Sequence, residues 1–284
     1  MSINKTFIGI SVGLLILACL FFFEFNSSPN HKSSQTNFSN VTIEKTWELP
    51  DILEEVSGID LLGNHEIAAV QDETGTIFIY NLQDSEITDE VEFAGPGDYE
   101  GIAVHNSTAY IVRSDGTIYE VKNYRSQPKV RKLRTSLNEE QDVEGLAFDA
   151  GHNRLLLAIK EKEPGTNAYK GIYAYNLNTM EFGEEPVFKI EFKDPVFKKV
   201  DEKKPENSFK PSDLEINPST GKLLVLEAEN PKLLILDKNG DPEKLLFLNR
   251  KKFPQAEGLS ISNTGTIYIS NEGSPATIHR ISLN

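Results

Sequence analysis

One short pattern recurs five times along this chain and constrains its fold more than any other feature. It consists of a Ser or Glu, a small residue, and an aliphatic residue that leads into alternating strand residues and a turn. The copies are Ser57-Gly58-Ile59, Glu100-Gly101-Ile102, Glu144-Gly145-Leu146, Ser212-Asp213-Leu214 and Glu257-Gly258-Leu259, with starts 43, 44, 68 and 45 residues apart. The long interval holds a charged, Pro-bearing stretch, residues 183–209, that reads as an inserted loop.

Each copy continues in the same order. After Glu257 come Leu259-Ser260-Ile261, the turn Asn263-Thr264-Gly265, the strand Thr266-Ile267-Tyr268-Ile269, a break at Ser274-Pro275, and Thr277-Ile278-His279-Arg280-Ile281. Alternating β-branched or aromatic residues broken by Gly, Asn and Asp signal short antiparallel strands. A repeat of about 40–45 residues holding four strands is a propeller blade. The last copy runs out after three strands, and an unassigned strand, Val41-Thr42-Ile43-Glu44-Lys45-Thr46-Trp47-Glu48-Leu49, precedes the first. If that strand completes the last blade, no sheet edge stays open. The expectation is an all-β chain whose residues 41–284 form a five-bladed β-propeller, the N-terminal strand closing the last blade, with Trp47 packing on it.

These repeats, together with Leu223-Leu224-Val225-Leu226-Glu227-Ala228-Glu229 and Pro254-Gln255-Ala256-Glu257-Gly258-Leu259, resemble the SdiA-regulated family in motif order from about Trp47 to Ile281. The resemblance implies a five-bladed propeller, distantly similar to NHL-repeat propellers, behind an N-terminal membrane segment. It also implies calcium binding, and it brings no agreed catalytic activity.

Residues 7–23 are a run of 17 without a charge, preceded by Lys5. That length is near the lower limit for a spanning helix. With Lys5 kept inside, the remainder is sent across the membrane. Residues 1–25 are therefore read as an anchor or signal and 26–40, rich in Ser and Asn, as a flexible tether. The propeller then sits on the periplasmic, extracytoplasmic side of a bacterial inner membrane, in the cell envelope. A lipoprotein signal ending at Cys19, the only cysteine, is the alternative, although the apolar residues 20–23 that follow it argue against lipidation. Simple secretion is the third option.

Net charge is −14, and residues 1–40 carry two lysines against one acid, so the excess falls on the propeller. Such a surface repels phosphate backbones and excludes nucleic acid as a partner. It suits cations, a divalent cation among them, or basic partners.

The innermost strand of each blade begins just after the recurring Ser or Glu, so Ser57, Glu100, Glu144, Ser212 and Glu257 should ring one mouth of the central channel. Loops returning to that mouth carry Asp72, Glu73, Ser114, Asp115, Glu161, Glu227, Glu229, Asn271 and Glu272. Converging carboxylates either rise in pKa or bind a cation. Oxygen donors without Cys or a placed His suit calcium, then magnesium or manganese, and disfavour zinc. The candidate ligands are Glu100, Glu144, Glu257, Glu229 and Glu272. The competing reading makes each repeated Glu mortar, accepting backbone N–H groups of a neighbouring blade. Asp98, in the turn before Glu100, is a lesser candidate ligand, and Asp213 reads as a turn residue or a ligand.

His65, His105 and His152 fall in turns at the opposite face, so no His-based catalytic dyad can be assembled at the Glu mouth, and no Gly-x-Ser-x-Gly elbow is present. Three functions follow. The leading one is a membrane-anchored, calcium-binding propeller with a non-enzymatic binding or sensing role. The others are a metal-dependent hydrolase of the lactonase, phosphatase or phosphodiesterase kind, and a protein-interaction propeller whose Glu ring is mortar.

Overall fold

In the computed structural model, described for residues 41–200 and 202–283, the recurring unit becomes a four-stranded antiparallel sheet repeated around an axis. Blade one holds strands Val56–Leu62, Glu66–Gln71, Thr76–Asn81 and Glu86–Glu92. Blade two runs from Tyr99–His105 to Lys129–Leu133, blade three begins with Val143–Asp149, Arg154–Ile159 and Tyr169–Asn176, and blade four runs from Pro211–Ile216 to Pro242–Phe247. Blade five takes Ala256–Ile261, Ile267–Asn271 and Thr277–Leu283 from the end of the chain. It takes its fourth strand, Val41–Glu48, from the beginning, with Val41 opposite Leu283 and Glu48 opposite Thr277. The five innermost strands touch in a closed cycle, so the ring is complete. The expected anchor (1–25), tether (26–40), Cys19 and His31 lie outside the described residues. Among the described residues no helix is long and apolar enough to cross a membrane.

Five apolar clusters hold the ring, one at each interface between blades. Ile59, Ile67 and Phe78 of blade one meet Tyr268 and Ile278 of blade five, where Trp47 lies 5% exposed and donates its indole N–H to the Leu82 carbonyl at 2.7 Å. The closing strand is thus fastened by packing as well as by its ladder, as the alternating pattern around Trp47 requires.

Residues 183–209 differ from an inserted loop. Phe188–Glu191 pairs with the third strand of blade three, Tyr169–Asn176, and Glu181–Phe182 pairs with the same strand at its other end. Beyond it, Phe192, Phe197 and Phe209 are buried in the cluster between blades three and four. The extra length therefore splits the outer strand in two and adds an apolar plug, and the charge in the segment is confined to its exposed side.

Candidate functional site

Every innermost strand carries a bulge at the recurring motif. In blade two the register passes from Tyr99 opposite Arg113 to Gly101 opposite Val112, which leaves Glu100 as the extra residue. Blade three does the same at Glu144 and blade four at Ser212, and the registers of blades one and five shift across Ser57-Gly58 and Glu257-Gly258. A bulge re-aims the side chain it carries. Here it turns one side chain per blade out of the regular alternation and toward one opening. The following glycine is needed for closeness. A Cβ on Gly58 would lie 2.7 Å from the Glu100 carbonyl, and one on Gly101 2.9 Å from that of Glu144.

Three sets of equivalent positions converge on this opening. The bulge set is Ser57, Glu100, Glu144, Ser212 and Glu257. Two residues earlier stand Glu55, Asp98, Asp142, Lys210 and Gln255. Just past the second strand come Asp72, Ser114, Lys160, Ala228 and Glu272. The result is eight carboxylates and two lysines around a narrow mouth.

Electrostatics show the consequence. Burial, followed by the charge of Glu144, a hydrogen bond with Asp98 and the charge of Glu257, pushes Glu100 up to about 11. Burial also carries Glu144, only 5% exposed, well above the carboxylate range, although Lys160 opposes it. Glu257 is raised by burial against the opposing pull of Lys160 and Gln255. Glu272 reaches about 8 through burial, a hydrogen bond with Glu55 and the charge of Glu257. Asp72 reaches about 6 through burial and the charges of Glu55, Asp98 and Glu73. All of these groups resist carrying their charge, and a cation between them would remove the resistance.

The structure thus brings Glu100, Glu144, Glu257 and Glu272 into mutual electrostatic contact. Glu229 also faces Glu257, while its Oε1 lies 3.3 Å from Lys210 Nζ, which bonds Glu161 at 2.7 Å. Two other sequence expectations change. Glu227 does not line the mouth, being wholly buried in an ion pair with Lys232 at 2.8 Å, and Ala228 takes the position at the opening. Asp115 is occupied by Arg113 and by the Thr117 amide in a tight turn.

Lys160 escaped the sequence reading. Its Nζ stands 3.0 Å from Glu144 Oε1. Burial pulls its pKa down, but Glu144, Glu257 and Asp142 outweigh burial and hold it above the ordinary lysine value. Its signal in the sequence is positional, since it follows the second strand where other blades place Asp72 and Glu272.

The mortar belongs to other residues. Among the described residues, the hydrogen bonds of Glu100, Glu144 and Glu257 run to side chains, not to backbone amides of a neighbouring blade. Asp213 takes that role, and it lies in the innermost strand of blade four and not in a turn. It is 3% exposed and accepts amides from three blades: Leu146 at 3.4 Å, Leu214 at 2.8 Å and Leu259 at 2.7 Å. Asp60 accepts the Val104 amide at 2.6 Å and the Ser260 hydroxyl at 3.2 Å. The inner edges of the innermost strands have no strand partner, so their amides face the axis and need such acceptors.

The donor chemistry of the mouth fits a hard divalent cation, since it offers only oxygen beside the two lysines. Two buried oxygens there, Asp72 Oδ1 and Asn271 Oδ1, have no hydrogen-bond partner, and Asn271 is 1% exposed. No three His, Cys, Asp or Glu side chains among the described residues are already gathered in one metal-sized shell.

A closed ring of five antiparallel blades around a channel with an acidic mouth defines a five-bladed β-propeller protein. Residues 32–282 match the SdiA-regulated family, and the chain belongs to it. Among solved structures it is similar to the glutaminyl cyclase of Myxococcus xanthus (13% identity, TM-score 0.58, covering 86% of this chain and 96% of that one). It is also similar to the PQQ-bound aldose sugar dehydrogenase of Streptomyces coelicolor (14% identity, TM-score 0.52, covering 86% and 98%). At these identities the likeness is one of fold.

Proposed function

We propose that this SdiA-regulated propeller binds calcium at its acidic mouth and acts by binding or sensing, not by catalysis. The observation that carries the proposal is the placement of Glu100, Glu144 and Glu257 on bulges facing one opening, with Glu100 driven to about 11 by burial and its acidic neighbours. Glu100, Glu144 and Glu257 would hold the ion, with Glu229 and Glu272 at the rim and the partnerless oxygens of Asp72 and Asn271 as further donors. The N-terminal apolar run supports an anchored protein with its propeller on the periplasmic side of the inner membrane, or alternatively a lipoprotein through Cys19.

The test is thermal unfolding of the full-length chain in detergent, stripped of metal, with and without calcium. At a calcium concentration of a hundred times Kd, binding stabilises by about 2.7 kcal/mol. In a domain of this size each kcal/mol raises Tm by about 2–4 °C. Glu144→Gln combined with Glu257→Gln should abolish the shift. No rise at millimolar calcium would remove the proposal.

A second reading, metal-dependent hydrolysis at the same mouth, draws on one observation. Asp72 at about 6 and Glu272 at about 8 bracket neutrality, the arrangement that lets one carboxyl act as base and another as acid. It requires calcium-dependent turnover of an ester, lactone or phosphate ester that Glu144→Gln eliminates. A broad panel without such turnover leaves the binding role.

A further inference from the structure

At the end of the channel opposite the glutamates, the structure forms a cavity of about 610 Å³, within the size range of small-molecule sites. The repeat explains its walls. Four residues after each bulge stand Leu61, Val104, Phe148, Ile216 and Ile261, and all five line the cavity as an apolar collar. One residue earlier the equivalent positions are Asp60, Ala103, Ala147, Glu215 and Ser260, and from this set Asp60 and Glu215 form a floor of carboxylates under the collar.

The carboxyls of this floor have no basic partner. Among the described residues no Lys, Arg or His side chain pairs with Asp60, Glu215 or the nearby Asp213. Asp60 is hydrogen-bonded as above, whereas Glu215 accepts the Ile216 amide on Oε1 at 2.8 Å. Burial raises both carboxyls, Asp60 to about 6. Of the basic residues in the lining, Arg154 and His152 are both engaged on Asp149 at 2.8 and 2.7 Å, and Lys238 stands at the exposed rim. One wall is aromatic: the Phe148 ring stacks on His105 with centroids 4.1 Å apart.

An anion would further oppose ionisation of these buried carboxyls, whereas a cation beside them favours their charged forms. A bare metal ion would find two carboxyls at the floor, while the other acids of the lining are already engaged, Asp149 by Arg154 and His152 and Asp237 by the amides of Asn239 and Asp241. A molecule with a cationic head and an apolar stem satisfies both layers, because the head gains charge-assisted hydrogen bonds where the low dielectric strengthens them and the stem covers the collar. We propose that this cavity is a binding site for a small organic cation, a primary amine or guanidine on an apolar stem, with its head on Asp60 and Glu215 and its stem along Leu61, Phe148 and Ile216.

The test is calorimetric titration of the full-length protein in detergent with 2-phenylethylamine and agmatine, beside the uncharged isostere 2-phenylethanol. The amines should bind at least tenfold more tightly than the alcohol. Glu215→Gln should weaken them at least tenfold while the calcium response at the other mouth persists, and Glu144→Gln should leave them unchanged. Ile216→Lys, which tethers an ammonium inside the collar, is an independent variant that should block the amines. Absence of amine binding at millimolar concentration, equal binding of the alcohol, or binding unaltered by Glu215→Gln and Ile216→Lys would each overturn the proposal. Because the variants lie at opposite mouths, its failure is distinct from failure of the calcium reading.

Discussion

Lys160 Nζ sits 3.0 Å from Glu144 Oε1, so the acidic mouth already contains one tethered cation. Glu144 is 5% exposed, and it would be left as an uncompensated buried charge without its partner. Removing one member of a buried pair costs about 3–5 kcal/mol. Lys160→Met should therefore lose about 3 kcal/mol in urea unfolding at pH 7.5. The loss should shrink as pH falls, because burial already favours the protonated form of Glu144 and protonation removes the uncompensated charge. If the mouth binds calcium, this variant should show a larger calcium-induced Tm rise than the parent.

The metal-free protein should become more stable as pH falls from about 8 to about 5. Glu100 and Glu272 hold protons up to about 11 and about 8 in the folded state, and Asp72 and Asp60 up to about 6, whereas the unfolded groups release them near 4. Within that window the folded state binds more protons, so stability falls as pH rises through it. The lowered carboxyls Asp115 and Asp149 act only below their ordinary value of 3.8, outside the window. His279, lowered by burial, opposes the trend below 6.5. Thermal melts across the range measure the slope, and saturating calcium should flatten it by favouring the charged carboxylates.

Asp213→Asn should destabilise by about 2–4 kcal/mol, since an amide offers one acceptor oxygen where three blades present N–H groups and its own NH2 would face a donor. Asp213→Gly restores the residue type of the other four blades at this position, yet it should be no better, because it leaves the amides of Leu146, Leu214 and Leu259 without an acceptor. Urea unfolding with an unchanged m-value is the measurement.

Deleting residues 41–48 should make the protein prone to aggregation. The deletion bares the ladder edge of Thr277–Leu283 and uncovers the pocket that Trp47 fills beside Tyr268. Size-exclusion chromatography reads the outcome, and Trp47→Ala alone should cost about 3–5 kcal/mol.

The ring was legible because each blade needs the same local device. A bulge and a glycine recur where innermost strands approach so closely that a Cβ on Gly58 would strike the Glu100 carbonyl, and packing of that kind leaves a periodic trace. The acidic mouth was legible for the same reason at Glu100, Glu144 and Glu257. Lys160 was not, because positions past the second strand differ from blade to blade, and a search for anions passes over the one lysine among them. Asp213 stood where a glycine was expected and so read as a turn. Asp60 and Glu215, at one repeat position, left a detectable sign that the sequence reading missed: two carboxylates at equivalent points where the other strands carry Ala103, Ala147 and Ser260. The split outer strand of blade three was hidden by charge, because Phe192, Phe197 and Phe209 pack from a segment whose exposed side is rich in Lys and Glu.

The strand that seals blade five is also the one joined directly to residues 1–40. Any tension passed along the polypeptide from that end arrives first at the seam between Val41–Glu48 and Thr277–Leu283, before it can reach any other blade. The first resistance to such a pull is therefore one hydrogen-bonded zipper backed by the buried Trp47 indole.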